Sequence, residues 1–527
     1  LKRILTFTAI FIFTAASAHA GLVETFGIGA KETAQGKAVA AQADTPFAVY
    51  YNPAGLTQIE GPTLSAGATV YDATVSSDNF RLKDGNGDPI PNPGWDTDNE
   101  TDNDPLVNPA MGYAMPVTDK ISFGIAAYSP YGLHIKSNKN PYENPISFYA
   151  WESMYVRTAV TPTIAYKLND KISVGFGVSL GQSETEAGKT YRYNPFASAA
   201  ASDPDNINML STAIGSVAAA VPGGADASET AVITQEVAGA AILSTDSANG
   251  DLNDLKLEAK DDFNASWNAG IMYKASDKLS MGLTYRSRTD ADFKGDVFFK
   301  GVNIGSVTMD YDHPDQVQGG VRYAFTDSFS VEFDLTWTHW SINKEQVEPM
   351  NLNKLSSLTD DATNALAAGI NANTKLSSAE KEAIITALAS QDLSADPTTK
   401  VAAHERDWEN TLQYQLGAEW LLNEKLALRG GIIYDPTPVP DHTFDQGWPD
   451  TDRTVFNIGA GYKITDQWEI DTVFQFITST PPRDIEGDSD ELNHTFSEEV
   501  IGQDVGVYMD DNKGVLYGFG ATVTYRF

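Results

Sequence analysis

One pattern recurs six times along the chain and constrains its fold more than any other feature: an aromatic residue, a few further residues, a polar pair, then alternating apolar positions. The instances run from Tyr113 to Asp119-Lys120, Tyr166 to Asp170-Lys171, Tyr273 to Asp277-Lys278, Tyr323 to Asp327-Ser328, Trp420 to Glu424-Lys425 and Tyr462 to Asp466-Gln467. Each predicts a tight hairpin, because Asn, Asp and Ser tolerate turn geometry and the flanks alternate with a period of two. Six hairpins require twelve strands, and the alternating stretches Thr63 to Val75 and Gly514 to Phe527 raise the expectation to fourteen. All the short turns fall on one side, and seven long connections are expected on the other. A soluble sandwich does not sort its loops in this way, and its strands are shorter than segments of about ten residues. The asymmetry is that of an outer-membrane barrel.

Side-chain parity agrees. In the last stretch Val515, Tyr517, Phe519, Ala521, Val523, Tyr525 and Phe527 share one face, and Gly518, Gly520, Thr522, Thr524 and Arg526 share the other. Met281, Leu283 and Tyr285 alternate with Ser280, Gly282, Thr284 and Arg286, and Val331, Phe333, Leu335 and Trp337 alternate with Glu332, Asp334 and Thr336. The apolar face is expected to meet hydrocarbon and the other to line a polar lumen, with Tyr and Trp at the strand ends as an interfacial girdle. The expected fold class is all-β, a fourteen-stranded antiparallel transmembrane barrel.

Composition closes the other routes. Beyond the N-terminal segment no run of about 18 apolar residues occurs, which excludes helical spans. With 36 Lys plus Arg against 71 Asp plus Glu, the net charge of −35 repels nucleic acid. The absence of cysteine rules out disulfides, thiolate metal sites, a Cys nucleophile and a lipoprotein anchor. Lys2 and Arg3, the apolar run Ile4 to Ala16 and then Ala18-His19-Ala20 read as a signal peptide of residues 1–20 cut before Gly21, so the protein is expected to be exported. No catalytic constellation is complete. The Gly-Lys between Gly29 and Lys37 lacks phosphate-loop spacing, and Ala38 replaces the hydroxyl that would hold magnesium, so no nucleotide is expected. Asp84, Asn86 and Asp88 resemble the start of a calcium loop, but Pro89 and Trp95 stand where Gly and Glu are needed. The scattered histidines offer no metal spacing. No enzyme, metal or cofactor is expected.

Residues 21–61 do not alternate. An Ala-rich centre leads to Thr45-Pro46 and Asn52-Pro53-Ala54-Gly55, which reads as short helices and turns that can plug a barrel formed by residues 62–527. Phe26-Gly27, Gly29-Ala30, Gly36, Ala43-Asp44-Thr45 and Tyr51 to Leu56 resemble the N-terminal hatch of the FadL family of outer-membrane long-chain fatty acid transporters. The resemblance continues through Ser129 to Leu133, Trp267 to Gly270, Tyr285 to Ser287, Tyr434 to Pro440, Pro449-Asp450 and Asp452-Arg453. It implies a fourteen-stranded barrel with a hatch, located in the bacterial outer membrane among its lipid and lipopolysaccharide. The implied function is passive uptake of long-chain fatty acids or similar hydrophobic molecules, captured by external loops and released sideways through the wall. Uptake of aromatic or alkane hydrocarbons is the alternative within the family, and a structural or adhesive barrel using its acidic loops is the alternative outside it.

The resemblance places a hatch gate at Asn52, Pro53 and Ala54, and a lateral exit at Pro130, Tyr131 and Gly132. The exit position has independent support, since Pro removes a ladder donor and Gly weakens pairing. Arg157, Arg286, Arg322 and Arg429 are all expected to point inward by parity. Either they meet a ligand carboxylate, or they neutralise lumen carboxylates such as Glu332, Asp334, Glu469 and Asp471. Long external loops are expected near residues 186–262 and 343–409. The first carries Ile207, Leu210, Ile214, Val217 and Val221 at helical spacing, and the second carries a Ser377/Glu380 capping box.

Overall fold

A computed structural model of the chain describes residues 24, 27–221, 225–249, 252–354, 359–389 and 399–527; the expected signal peptide lies outside them. Fourteen strands close into one antiparallel barrel. They are β1 (Thr63–Asp84), β2 (Leu106–Pro116), β3 (Ile121–Lys136), β4 (Glu152–Lys167), β5 (Ile172–Tyr191), β6 (Asn253–Lys274), β7 (Leu279–Arg286, continued by Thr289–Phe299) and β8 (Val302–His313, continued by Gln316–Ala324). The rest are β9 (Phe329–Thr338), β10 (Thr411–Leu421), β11 (Leu426–Asp435), β12 (Arg453–Lys463), β13 (Trp468–Ser479) and β14 (Val505–Arg526). Closure is by β14 on β1, in a register from Thr63↔Arg526 to Asp84↔Val505.

All six hairpin turns occur where the sequence places them, and a local hydrogen-bond motif explains why. The side chains of Thr118, Asn169, Ser276, Thr326, Asn423 and Thr465 each accept two backbone N–H groups from the residues that begin the next strand, at 2.8–3.3 Å. Such a side chain substitutes for a backbone acceptor and closes the turn locally.

The far side departs from expectation at two places. The connection between β7 and β8 is not a long loop but a turn at Lys300-Gly301, with φ of 51° and 76°, the double positive φ that a tight two-residue hairpin requires. The first long loop is also narrower than residues 186–262: β5 runs to Tyr191 and β6 starts at Asn253, because alternation continues beyond the bilayer.

The polar-lumen expectation holds for only half of the barrel. Near the short turns the inward side chains include Gln318, Glu332, Asp334, Gln415, Asn457 and Thr522, all buried, while Leu283, Phe333, Phe456 and Phe519 are exposed outward. In the external half the pattern inverts. Phe293, Val297, Phe299, Val307, Met309 and Tyr311 are buried, whereas Asp290, Asp292, Asp296 and Asp310 are exposed. The parity switches at Ser287-Arg288 in β7 and directly opposite at Pro314-Asp315 in β8, where both strands break. Where the strands leave hydrocarbon for water, their apolar face must turn inward. The upper lumen is therefore an aromatic core, joined by Trp340, Trp408, Phe444 and Phe496 from the loops.

Two short helices, α1 (Ala30–Ala34) and α2 (Ala48–Tyr51), precede β1, and two external loops supply longer ones. α3 (Pro195–Ser202), α4 (Pro204–Ala219) and α5 (Ala227–Ser244) come from the β5–β6 loop, and α6 (Thr359–Ala372) and α7 (Ser378–Leu388) from the β9–β10 loop. They share a core of Leu210, Ile214, Val237, Leu366, Ile370, Ile384 and Leu388. The Ser377/Glu380 capping box starts α7, and a second box, Asp226/Glu229, starts α5.

Candidate functional site

Residues 27–61 pack across the short-turn end of the lumen and close it. One helix (Ala30–Ala34) lies against β11–β14, and a 3-10 turn (Pro53–Gln58) lies against β4–β6. Between them the Ala41 and Ala40 amides donate to Glu332 Oε1 at 2.5 Å and to Asp334 Oδ2 at 3.0 Å, and Gln318 Nε2 donates to Lys37 O at 3.1 Å. The barrel wall makes room by omitting side chains. A Cβ on Gly282 would lie 1.8 Å from Ala40 O, and one on Gly175 would lie 2.3 Å from the Pro53 carbonyl carbon. The plug thus rests backbone to backbone on the wall.

Asn52, Pro53 and Ala54 are fully buried in this plug. Asn52 Nδ2 donates to Ala40 O at 2.7 Å and to Ile271 O at 3.2 Å, and its Oδ1 accepts the Ala54 amide at 3.1 Å. The turn therefore ties the plug to β6 and leans on β5. At Tyr131, within the Pro130–Gly132 stretch, the bridging plug residue is Glu24, which the sequence reading missed. Glu24 also pairs with Lys37 at 3.2 Å and accepts from Gln316 Nε2 at 3.1 Å.

Around Tyr131 the wall is discontinuous. The β2–β3 ladder ends at Met111↔Ala127, while Leu106–Ala110 of β2 remain paired to β1. On the other edge of β3, Ser129 and Pro130 together face the single Thr158 of β4, and pairing resumes at Tyr131↔Arg157. Such a bulge bends its strand away from the neighbour. Contact between the two sides of the gap returns at Lys136, whose carbonyl accepts the Asp102 amide at 2.8 Å and whose amide donates to Asn103 Oδ1 at 2.7 Å. The result is a seam alongside Tyr128–Ile135, bounded above and below.

The four inward arginines divide. Arg429 is enclosed by Glu419 at 2.8 Å and Asp471 at 2.5 Å. Arg322 donates to Ser330 at 2.9 Å close to the short turns. Arg286 lies 4.8 Å from the Tyr50 ring centroid and donates to Gln316 at 2.9 Å. Arg157, only 2 % exposed, donates to Asn264 Oδ1 at 2.8 Å and Ser266 Oγ at 3.4 Å, and among the described residues it has no carboxylate within ion-pair distance. It faces Tyr131 across the seam's edge, beside the hydrogen-bonded Tyr155 and His313. Of the expected lumen carboxylates, Asp471 meets Arg429 and Glu469 meets Arg526 at 2.6 Å, but Glu332 and Asp334 anchor the plug instead.

Above the plug, one cavity of about 170 Å³ opens to the external mouth, lined by Met154, Leu255, Met309, Met350, Lys189 and Arg406 among others. A smaller one, about 30 Å³, lies deeper between Trp340, Trp408, Trp448, Val439, Arg453 and Glu24. The tryptophans carry no local sequence signal, because residues 340 and 408, at opposite ends of one loop, meet residue 448 only when that loop and the β11–β12 loop fold inward. Arg453 is held by Asp435 and Asp450 at 2.6 Å each, so the Tyr434-to-Pro440 and Pro449-to-Arg453 motifs staple one loop beside this cavity.

A closed barrel with a lipid-facing apolar belt, an internal plug and an apolar external half defines the class: a bacterial outer-membrane barrel whose lumen is obstructed at its short-turn end. Within that class, the chain belongs to the outer membrane protein transport protein family (OMPP1/FadL/TodX), whose model matches residues 9–527. It is 24% identical to the long-chain fatty acid transport protein of Escherichia coli K12, over 95% of this chain and 92% of that one. It is 22% identical to outer membrane protein P1 of Haemophilus influenzae, with 70% of this chain aligned to 65% of that protein, somewhat under two thirds of its length. The fold resembles a Pseudomonas aeruginosa FadL homologue, with a TM-score of 0.64, 16% identity and coverage of 96% and 100% of the two chains. It also resembles the Pseudomonas putida toluene transporter TodX, with a TM-score of 0.57, 13% identity and coverage of 95% and 99%. The protein is located in the bacterial outer membrane.

Proposed function

We propose that this chain takes up long-chain fatty acids or closely similar hydrophobic molecules across the outer membrane by passive, ligand-gated diffusion. The observation that carries the reading is the seam: the β2–β3 ladder stops at Met111↔Ala127, whereas the route straight down is filled by the plug. A chain of about sixteen carbons released into water would cost on the order of 10 kcal/mol, at roughly 0.8 kcal/mol per methylene. Exit through the seam into the bilayer avoids that cost. The external mouth cavity captures the ligand, the aromatic upper lumen holds it, and displacement of the plug around Glu24 and Asn52-Pro53-Ala54 opens the way past Pro130-Tyr131-Gly132. No catalytic step, nucleotide or cofactor enters, and the drive is the concentration gradient. Arg157 supports a carboxylate head group, being a buried cation beside the seam with no acidic partner among the described residues. The Trp340, Trp408 and Trp448 lining supports the second reading, in which the ligand is an aromatic hydrocarbon.

Sealing the seam tests the route. Replacing Pro130 and Gly132 with strand-forming residues, or cross-linking cysteines introduced on β2 and β3 across the gap, is expected to abolish uptake while ligand still binds from outside. Undiminished uptake by a folded, fully cross-linked variant would sink lateral exit.

A further inference from the structure

The two upper cavities share one wall. Trp448 lines both the outer cavity of about 170 Å³ and the inner cavity of about 30 Å³. An apolar cavity of about 150 Å³ is large enough to hold a benzene ring. The outer cavity therefore accepts a ring or a short stretch of chain, whereas the inner one accepts neither until a wall moves.

Trp448 is held in place from several directions. Its ring stacks on Tyr311 at 5.7 Å and 24°, meets the Tyr155 ring at 6.1 Å, and stands edge-on to Trp408 at 6.1 Å. Its amide donates to Asp445 Oδ1 at 2.8 Å. Asp445 is also the ion-pair partner of Arg406, and both are buried. The Arg406 guanidinium donates to Gln346 at 2.9 Å and lies 5.9 Å from the ring centroids of both Trp408 and Trp448. Trp448 sits on the loop between β11 and β12, and Arg406 comes from the segment leading into β10. One buried ion pair thus couples the loop that carries the indole to a neighbouring loop. Breaking one partner of a buried pair leaves the other charge uncompensated, so the clasp resists loosening.

We propose that Trp448 is the partition between the outer and inner cavities, that its displacement admits the hydrophobic ligand, and that the Arg406–Asp445 clasp sets how readily it moves. The inference rests on the uptake reading and names the residue that limits its rate. The partition makes the mouth selective: a ligand must offer enough apolar surface to replace the stacking that Trp448 gives up.

The test compares initial uptake of radiolabelled oleate and of toluene by bacterial cells that lack their own uptake barrel and express the full chain or a variant. Amounts are matched by surface labelling, and folding is checked by heat-modifiable gel migration. Trp448→Ala is expected to raise the initial rate several-fold for both ligands, and Trp448→Phe to raise it less. Asp445→Asn, which keeps the indole and weakens the clasp, is expected to raise it as well. A residue that only packs the lumen would lower uptake when truncated, so the direction is diagnostic. A folded Trp448→Ala variant with an unchanged or reduced rate overturns the partition. If that variant yields no barrel, an unchanged or reduced rate in Trp448→Phe and Asp445→Asn overturns it instead. Failure of the uptake reading itself appears differently, as no transport above empty cells by the unmodified protein.

Discussion

Arg429 sits between Glu419 and Asp471, whereas Arg157, among the described residues, donates to the neutral Asn264 and Ser266. Parity treats the two alike, yet their surroundings assign them different roles. The first is neutralised inside the protein, and the second keeps an unspent charge in a buried site. A hydrogen bond to a charged group contributes about 1.5–3 kcal/mol. Arg157→Gln is therefore expected to weaken palmitate binding by roughly 10-fold to 100-fold while leaving hexadecane binding nearly unchanged, as read by equilibrium binding to purified protein. Equal losses for the two ligands would remove carboxylate recognition from Arg157. Sequence parity found all four lumen arginines, but that Arg429 among them is enclosed by two carboxylates depended on residues far away along the chain.

At the scale of elements, the strands were legible because a two-residue period and a local turn motif are both written into neighbouring residues. The seam was half legible. Pro130 and Gly132 announce a weak point on β3, but the end of the β2–β3 ladder and the Glu24 bridge involve segments brought together only in the barrel. The external clasp was not legible, since it joins three loops. In it Glu491 accepts from His404 at 3.0 Å and from the Glu405 amide at 2.9 Å. Burial alone would raise this carboxyl, but the His404 ring and the Arg406 guanidinium hold it below its ordinary value of 4.5. A depressed folded value stabilises the clasp above that pH and withdraws the stabilisation as pH falls through the folded value. External loop 480–504 is therefore expected to become protease-sensitive as the pH is lowered below 4.5 and through the depressed folded value, with the barrel intact, and Glu491→Gln to be sensitive already at neutral pH. Protection that does not change between neutral and acid conditions would show that this contact does not hold the loop.

For the whole molecule, the inversion of the apolar face along β7 and β8 divides the barrel into a membrane-embedded half and an external half with its own aromatic core. The helices above form a further packed unit drawn from two loops, with Leu366, Ile370, Ile384 and Leu388 of one loop against Leu210, Ile214 and Val237 of the other. Because that core is separate from the barrel, removing α6 and α7 is expected to leave heat-modifiable, strand-rich barrel while exposing α3–α5 to limited proteolysis. Loss of the barrel itself would show that the two units fold as one.

The sequence by itself determined the strand number, the sidedness of the turns, the lipid-facing surface and the class of protein, since these follow from periodicity and from hydrogen bonds between near neighbours. Only the tertiary structure decided where the plug rests, which lumen arginine is neutralised by carboxylates, how the seam is bounded and which tryptophan lines both upper cavities. Each of these depends on groups distant in sequence, such as Ala40 with Asp334 or Arg406 with Asp445, whose contact is set by barrel closure and register rather than by any local preference.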